Sequence, residues 1–182
     1  MTRLTMLAAA LGVSLAATAG AQEMPMPTPG PEHAVLKMDE GTWDAVVELT
    51  PPGAPAMTSK GVETNMMGCG GLCLIANFKG EFMPGVAFEG HGTTVYDAFA
   101  KKYVGSWTDS MSTGLSSSAG TYDAATRTVT AVMESRDMTG TMVKSRTVVQ
   151  YPDADHRVMT MFTALPGGQE AQMMKISYTR RK

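Results

Sequence analysis

The sequence predicts an all-β fold, a single up-and-down antiparallel β-barrel of about eight to ten strands preceded by a short N-terminal helical turn. Three observations predict it. From Trp43 onward apolar and polar residues alternate with a period of two, and apolar periodicity of helical length does not return. Turn signals recur at intervals of about eight to twelve residues, as many short hairpin-connected strands require. Among them are Thr50-Pro51-Pro52-Gly53, Gly90-His91-Gly92, Arg136-Asp137, Pro152-Asp153 and Pro166-Gly167-Gly168. The third observation is a repeated turn device: Tyr96-Asp97-Ala98, Tyr122-Asp123-Ala124 and Tyr151-Pro152-Asp153-Ala154 each follow a β-like run. An Asp opening a turn accepts hydrogen bonds from the backbone amides that follow it, which favours Asp at that position.

Residues 1–21 read as a signal peptide. Arg3 supplies the positive start, Leu4 to Ala17 is an apolar stretch, and Ala19-Gly20-Ala21 fits the small-residue cleavage rule, with cleavage expected after Ala21. The apolar run is too short to span a bilayer, so no stable membrane insertion is expected once it is removed. The expected location is periplasmic or secreted. Residues 22–31, QEMPMPTPGP, form a tether, because recurring proline excludes helix and central strand. Residues 32–182 then suit one barrel domain with a sizeable core. The chain holds 15 Lys and Arg against 17 Asp and Glu, and loss of the leader with Arg3 leaves 14 against 17, a net charge of −3. No basic patch interleaves with aromatics, which argues against nucleic acid as a partner.

Within the domain, Glu32 to Glu40 can form one or two helical turns before Gly41 stops them. Strands are expected near 42–50, 60–67, 72–78, 83–91, 92–97, 102–111, 115–122, 127–135, 141–151, 156–164 and 170–180. In the first, Trp43, Ala45, Val47 and Leu49 share one face and Asp44, Glu48 and Thr50 the other; in the last, Met174, Ile176, Tyr178 and Arg180 share a face. Hairpin-to-hairpin order without long crossovers favours a closed barrel, which removes exposed edges. First and last strands are then neighbours, and Arg180 can lie over the Trp43 ring.

Gly41-Thr42-Trp43 opening strand one, with a late Arg packed on it, is the pattern of the calycin barrels. Together with ETNMMGCGGLCLIANFKGE, FEGHGTTVYDAFAKKYVGSWTDSMSTGL, GTYDAATRTVT and the terminal SYTRR, the chain resembles the bacterial DUF1579 family over Glu32 to Lys182. The resemblance implies a calycin-like, lipocalin-like barrel and transfers no catalytic residue. The later lipocalin motifs are missing.

Candidate functional residues follow from the alternation. Tyr103, Gly105, Trp107, Asp109 and Met111 share one face of their strand, which the aromatics mark as interior. An interior Asp109 needs a hydrogen-bonding or charged partner: Arg127, Arg146, Arg157, a ligand group, or a neighbouring backbone or Tyr. Phe88, Tyr96, Tyr103, Trp107, Met111, Phe162 and Tyr178 are expected to line a ligand space, with Asp109, Glu89 and Arg127 orienting a polar end. Gly41, Trp43, Arg180, Cys69 and Cys73 are expected to be structural. Cys69 and Cys73 would stand about 13 Å apart in extended chain, but a turn through Gly70-Gly71 brings them within the roughly 4.4–6.8 Å of a disulfide. A bridge is therefore expected over free thiols or a redox or metal role, since neither a C-x-x-C spacing nor a full zinc ligand set is present.

Glu89 and His91 lie on one side of their strand, and with Asp109 they offer an acid–base group for an envelope enzyme. No nucleophile framework such as G-x-S-x-G accompanies them. The 17 methionines suit a flexible apolar lining better than a copper site, because they are dispersed with no array beside His. The expected partner is a small apolar or amphipathic ligand, held without a cofactor. A structural barrel binding an envelope partner on its outer face is the remaining alternative.

Overall fold

A computed structural model describes residues 26–51, 53, 55–83, 85–137, 139–165 and 167–182. The expected signal peptide and residues 22–25 of the tether lie outside the described residues. A short helix, α1 (His33–Lys37), precedes ten strands: β1 (Gly41–Leu49), β2 (Met57–Gly68), β3 (Cys73–Met83), β4 (Val86–Asp97), β5 (Lys102–Asp109), β6 (Ser116–Asp123), β7 (Thr128–Arg136), β8 (Met142–Gln150), β9 (His156–Ala164) and β10 (Glu170–Arg180). Each strand pairs with the next, and β10 pairs antiparallel with β1, so the sheet is a closed up-and-down barrel. No described helix is long and apolar enough to cross a membrane.

Closure is built as the first and last strands foretell. Trp43 stands opposite Arg180 and Val47 opposite Ile176. Trp43, Ala45 and Val47 are buried with Phe78, Ile176 and Tyr178, while Asp44 and Val46 face solvent. The Arg180 guanidinium lies 4.0 Å from the centre of the Trp43 ring. Its three nitrogens also donate to backbone carbonyls of Met38, Glu40 and Ala154, tying α1 and the β8–β9 turn to the seam. Gly41 is required there: its φ is +120°, and a Cβ would meet Arg180 Nη1 at 2.7 Å.

The turns obey the Asp rule. Asp97 Oδ1 accepts from the amides of Phe99 and Ala100, both at 2.9 Å, and Asp123 and Asp153 accept from Ala125 and Asp155, both at 2.8 Å. Asp137 is a fourth instance, accepting from Thr139 at 2.8 Å and Thr141 at 2.9 Å. Cys69 and Cys73 are bridged, with Cα atoms 5.5 Å apart across a short 3₁₀ turn. Gly70 and Gly71 carry φ of 66° and 91° there, left-handed values that glycine adopts without a Cβ clash.

One expectation is overturned. Gly90-His91-Gly92 is not a link between two strands near 83–91 and 92–97; it lies in the middle of the single strand β4. Neither glycine has positive φ. They are small because the Trp107 indole of β5 lies against them: a Cβ on Gly92 would stand 2.8 Å from indole Cε3, and one on Gly90 would overlap the ring. Glycine within a strand pattern signals either a turn or a close approach, and here it is a close approach.

Candidate binding cavity

The two ends of the barrel differ. At one end α1 packs against β3 and β4, and Leu36 is buried with Leu74 and Tyr103, with Tyr96 and Tyr122 packed on them. Tyr103 donates its hydroxyl hydrogen to the Glu32 carbonyl at 3.0 Å, and burial pushes its pKa up to about 12. From this plug toward the opposite end, the interior encloses a cavity of about 540 Å³. Its belt is apolar: Val47, Leu49, Phe78, Phe88, Trp107, Met133, Met159, Met161, Met174 and Ile176. Met161 and Met174 are direct cross-strand neighbours, so soft, unbranched side chains line one wall. One side of the wall is polar and small, formed by Ser116, Ser118 and Thr147. Met111, Ser112 and Arg136 stand near the open end, where the β5–β6 and β7–β8 turns lie.

The base is charged. Arg157, on β9, donates through Nη1 to Asp39 Oδ1 at 2.7 Å and through Nη2 to Glu63 Oε1. Its guanidinium lies 4.0 Å from the Tyr178 ring centre and 4.7 Å from that of Trp43. Tyr178 donates to Glu63 Oε2 at 2.9 Å, Tyr151 donates to Asp39 Oδ2 at 3.1 Å, and Asn65 Nδ2 donates to Glu63 Oε1 at 2.8 Å. Burial opposes the Arg157 charge, but the two carboxylates outweigh it and hold the guanidinium above its ordinary pKa. Both tyrosines are pushed well above their ordinary range by burial and by the neighbouring carboxylates. Asp39, Glu63, Asn65, Arg157 and Tyr178 all line the cavity, so this network forms its floor.

Burial raises the Asp39 pKa above its ordinary value, with Arg157 opposing part of the rise. In the interval between the two values the folded state holds a proton that the unfolded chain has released, so this residue's contribution to stability falls as pH rises through that interval. The stability gap between the native protein and Asp39→Asn is therefore expected to narrow between pH about 4 and pH about 7. Thermal melts of both proteins at the two pH values check this, and a gap that widens with pH would contradict it.

The sequence-predicted residues divide into three groups. Phe88, Trp107, Asp109, Met111 and Tyr178 line the cavity. Tyr96 and Tyr103 face inward but belong to the plug beneath α1. Phe162 does not line the cavity, because Arg157, Met159 and Met161 hold the inward positions of β9 and the intervening Phe162 points out, 4.2 Å beneath the Arg146 guanidinium. Arg127 is also outside, in the β6–β7 turn, where Nη1 reaches the Pro152 carbonyl at 3.4 Å. Asp109 is satisfied without an arginine: it accepts from Trp107 Nε1 at 3.0 Å and from the Met111 amide at 2.9 Å.

The acid–base group does not assemble. Asp109 is opposite Gly90 and faces inward, whereas Glu89 and His91 point outward from β4. Glu89 pairs there with Lys79 at 3.1 Å and lies 3.5 Å from His91 Nε2. The barrel wall separates Asp109 from the other two, so neither a shared acid–base step nor a polar clamp by Glu89 is available inside.

The floor residues Asp39, Glu63, Asn65 and Tyr151 escaped the sequence reading. On β2 the inward residues Ser59, Gly61, Glu63 and Asn65 are all small or polar, while Val62 and Met66 face the other way. Hydrophobic alternation therefore assigns β2 the wrong face. What places Glu63 inside is its register opposite the inward Trp43, which only the paired strands reveal.

A closed ten-stranded barrel with an N-terminal helical plug and an internal cavity places the protein among the lipocalin-like, calycin-like barrels. The chain belongs to the DUF1579 family, described as a protein of unknown function, whose sequence model matches residues 28–180. No curated protein matches the sequence significantly. In structure it is similar to Rv2717c from M. tuberculosis, at 11% identity and a TM-score of 0.61, covering 84% of this chain and 99% of that one. It is also similar to the S-type phycobiliprotein lyase CPES from Guillardia theta, at 10% identity and a TM-score of 0.57, covering 83% and 93%. At these identities the likeness is one of fold.

Proposed function

We propose that the protein is an exported binding barrel that holds a small apolar or amphipathic molecule in its interior without transforming it. The observation that carries this reading is the cavity of about 540 Å³ with its apolar belt and polar floor, a size and composition typical of small-molecule sites. Five methionines and the Trp107 indole give the space a deformable, polarisable lining suited to an apolar body. The ionisable floor groups are bonded to one another, which suits holding a ligand rather than cycling protons. Export is supported by the leader pattern and by the Cys69–Cys73 bridge, which belongs to an oxidising compartment. The lyase likeness supplies no reaction for this chain, since only the fold is shared.

The test begins with the mature chain, Gln22 to Lys182, purified and extracted for native and small-molecule mass spectrometry. A reproducible co-purifying molecule supports the reading and names its class. For the empty protein, the neutral fluorophore N-phenylnaphthylamine serves as probe. Trp107→Ala is expected to weaken its binding by about tenfold or more, a larger effect than its loss of thermal stability. An unchanged affinity with a large loss of stability would assign Trp107 to the core instead.

A further inference from the structure

Glycine inside a strand marks a place where something else comes close to the backbone. Gly61, Gly90 and Gly92 are small because rings lie on them, Phe78 on the first and Trp107 on the other two, and Gly120 because the β7 backbone stands close. Gly105, on the inward face of β5 between Tyr103 and Trp107, has a different neighbourhood. The three atoms nearest to a Cβ built there are Ser118 Oγ at 2.9 Å, Thr94 Oγ1 at 3.1 Å and the Thr93 carbonyl at 3.3 Å. The carbonyl is part of the sheet backbone, whereas the two hydroxyls come from the adjoining strands, Thr94 opposite Gly105 on β4 and Ser118 opposite it on β6. Two hydroxyls therefore converge from either side on one point above a residue with no side chain. Thr94, Gly105 and Ser118 all line the cavity and are only partly buried, so that point is open to a ligand. Along this wall Thr147 is tied down, donating to the Ala131 carbonyl at 3.3 Å, but the Thr94 and Ser118 hydroxyls have no such partner among the described residues.

Resting on the cavity-binding reading, we propose that this cradle recognises an uncharged carbonyl group on the edge of a planar, otherwise apolar ligand. The carbonyl oxygen rests over Gly105 and accepts from Thr94 Oγ1–H and Ser118 Oγ–H together, since one carbonyl has two lone pairs. A hydrocarbon edge in the same place strips both hydroxyls of water and gives them no acceptor. A carboxylate would accept as well, but its charge would be buried with two neutral hydroxyls for partners. The Trp107 indole, next to the cradle on the same face of β5, lines the cavity and offers an aromatic surface to a planar ring. β10 lies five strands from β5 in either direction round the barrel, so its cavity-lining Met174 and Ile176 stand across from the cradle. They supply the apolar surface against which the far side of the ligand packs.

The experiment is equilibrium dialysis of the mature chain, Gln22 to Lys182, against 9-fluorenone and fluorene, two planar molecules of one shape that differ by a single edge carbonyl. Hydrophobicity alone ranks fluorene the tighter. Recognition by the cradle reverses that order, with fluorenone expected to bind about fivefold or more tighter, since a site built to hydrogen-bond a group discriminates against the analogue lacking it. In the double variant Thr94→Val, Ser118→Ala, which removes both hydroxyls at little change of volume, the preference is expected to pass to fluorene while N-phenylnaphthylamine still binds. If that variant does not fold, the order in the native protein decides by itself. Fluorenone binding no tighter than fluorene while the fluorophore binds, or a fluorenone preference that persists in the double variant, overturns the cradle and leaves the cavity reading intact. Failure of both ligands and of the fluorophore to bind overturns the cavity reading itself.

Discussion

Arg157→Met lowers the unfolding free energy by about 3–5 kcal/mol, because it leaves two carboxylates buried without their shared cation. Asp39 and Glu63 both depend on the guanidinium, which also packs over the Tyr178 and Trp43 rings. The residue is therefore hub, counter-ion and packing surface at once. Arg157→Lys does not rescue it: a single ammonium cannot serve two carboxylates in fixed fork geometry or stack on the rings as a guanidinium does. The measurement is denaturant unfolding of the three proteins at neutral pH, with thermal midpoints as a second readout. A midpoint for Arg157→Met within error of the native value would show that the carboxylates are relieved by protonation or solvent and that the floor is not held by the ion pairs. Adding Asp39→Asn and Glu63→Gln to Arg157→Met should return a large part of the loss, since it removes the stranded charges.

Trp43→Ala is the second large loss, about 3–5 kcal/mol from the deleted volume alone. Trp43 is 1% exposed and has a guanidinium near its ring on each of two counts, Arg180 at 4.0 Å and Arg157 at 4.7 Å. Its Nε1 donates to the Asp39 carbonyl at 2.8 Å, which joins the end of the α1 segment to the barrel seam. Truncation thus opens a void where β1 and β10 close, and it releases Arg180 from the ring that positions its three carbonyl contacts. A double-mutant cycle between Trp43→Ala and Arg180→Met, read by denaturant unfolding, is expected to return a coupling of about 0.5–2 kcal/mol. Additive losses would mean that Arg180 acts only through the carbonyls.

Both sites show where alternation suffices and where it fails. On β1 the inward positions are apolar and the outward ones mostly charged, so Trp43, Ala45, Val47 and Leu49 are assigned correctly, and Tyr178 and Ile176 follow on β10. On β9 both faces are apolar. The aromatic ring of Phe162 competes with Met159 and Met161 for the interior, and an arginine at the head of the true inward series disguises it. On β2 the pattern is inverted, because the interior there is a hydrogen-bonding floor rather than an oily wall. Glycine carried a similar ambiguity: Gly90 and Gly92 make room for the Trp107 indole, a reason that resides on the neighbouring strand.

The sequence by itself determined what depends on local chemistry: strands from alternation, hairpin turns from Asp97, Asp123 and Asp153, the Cys69–Cys73 loop from its two glycines, and closure from the Gly41-Thr42-Trp43 start and the Arg180 end. Tertiary structure decided what depends on strands meeting across the barrel. Asp39 and Arg157 are 118 positions apart, and Glu63 and Arg157 are 94 apart. Each reads as an ordinary surface charge in its own segment. Only the low-polarity interior, where a charge must find its partner or be expelled, makes the three a single group.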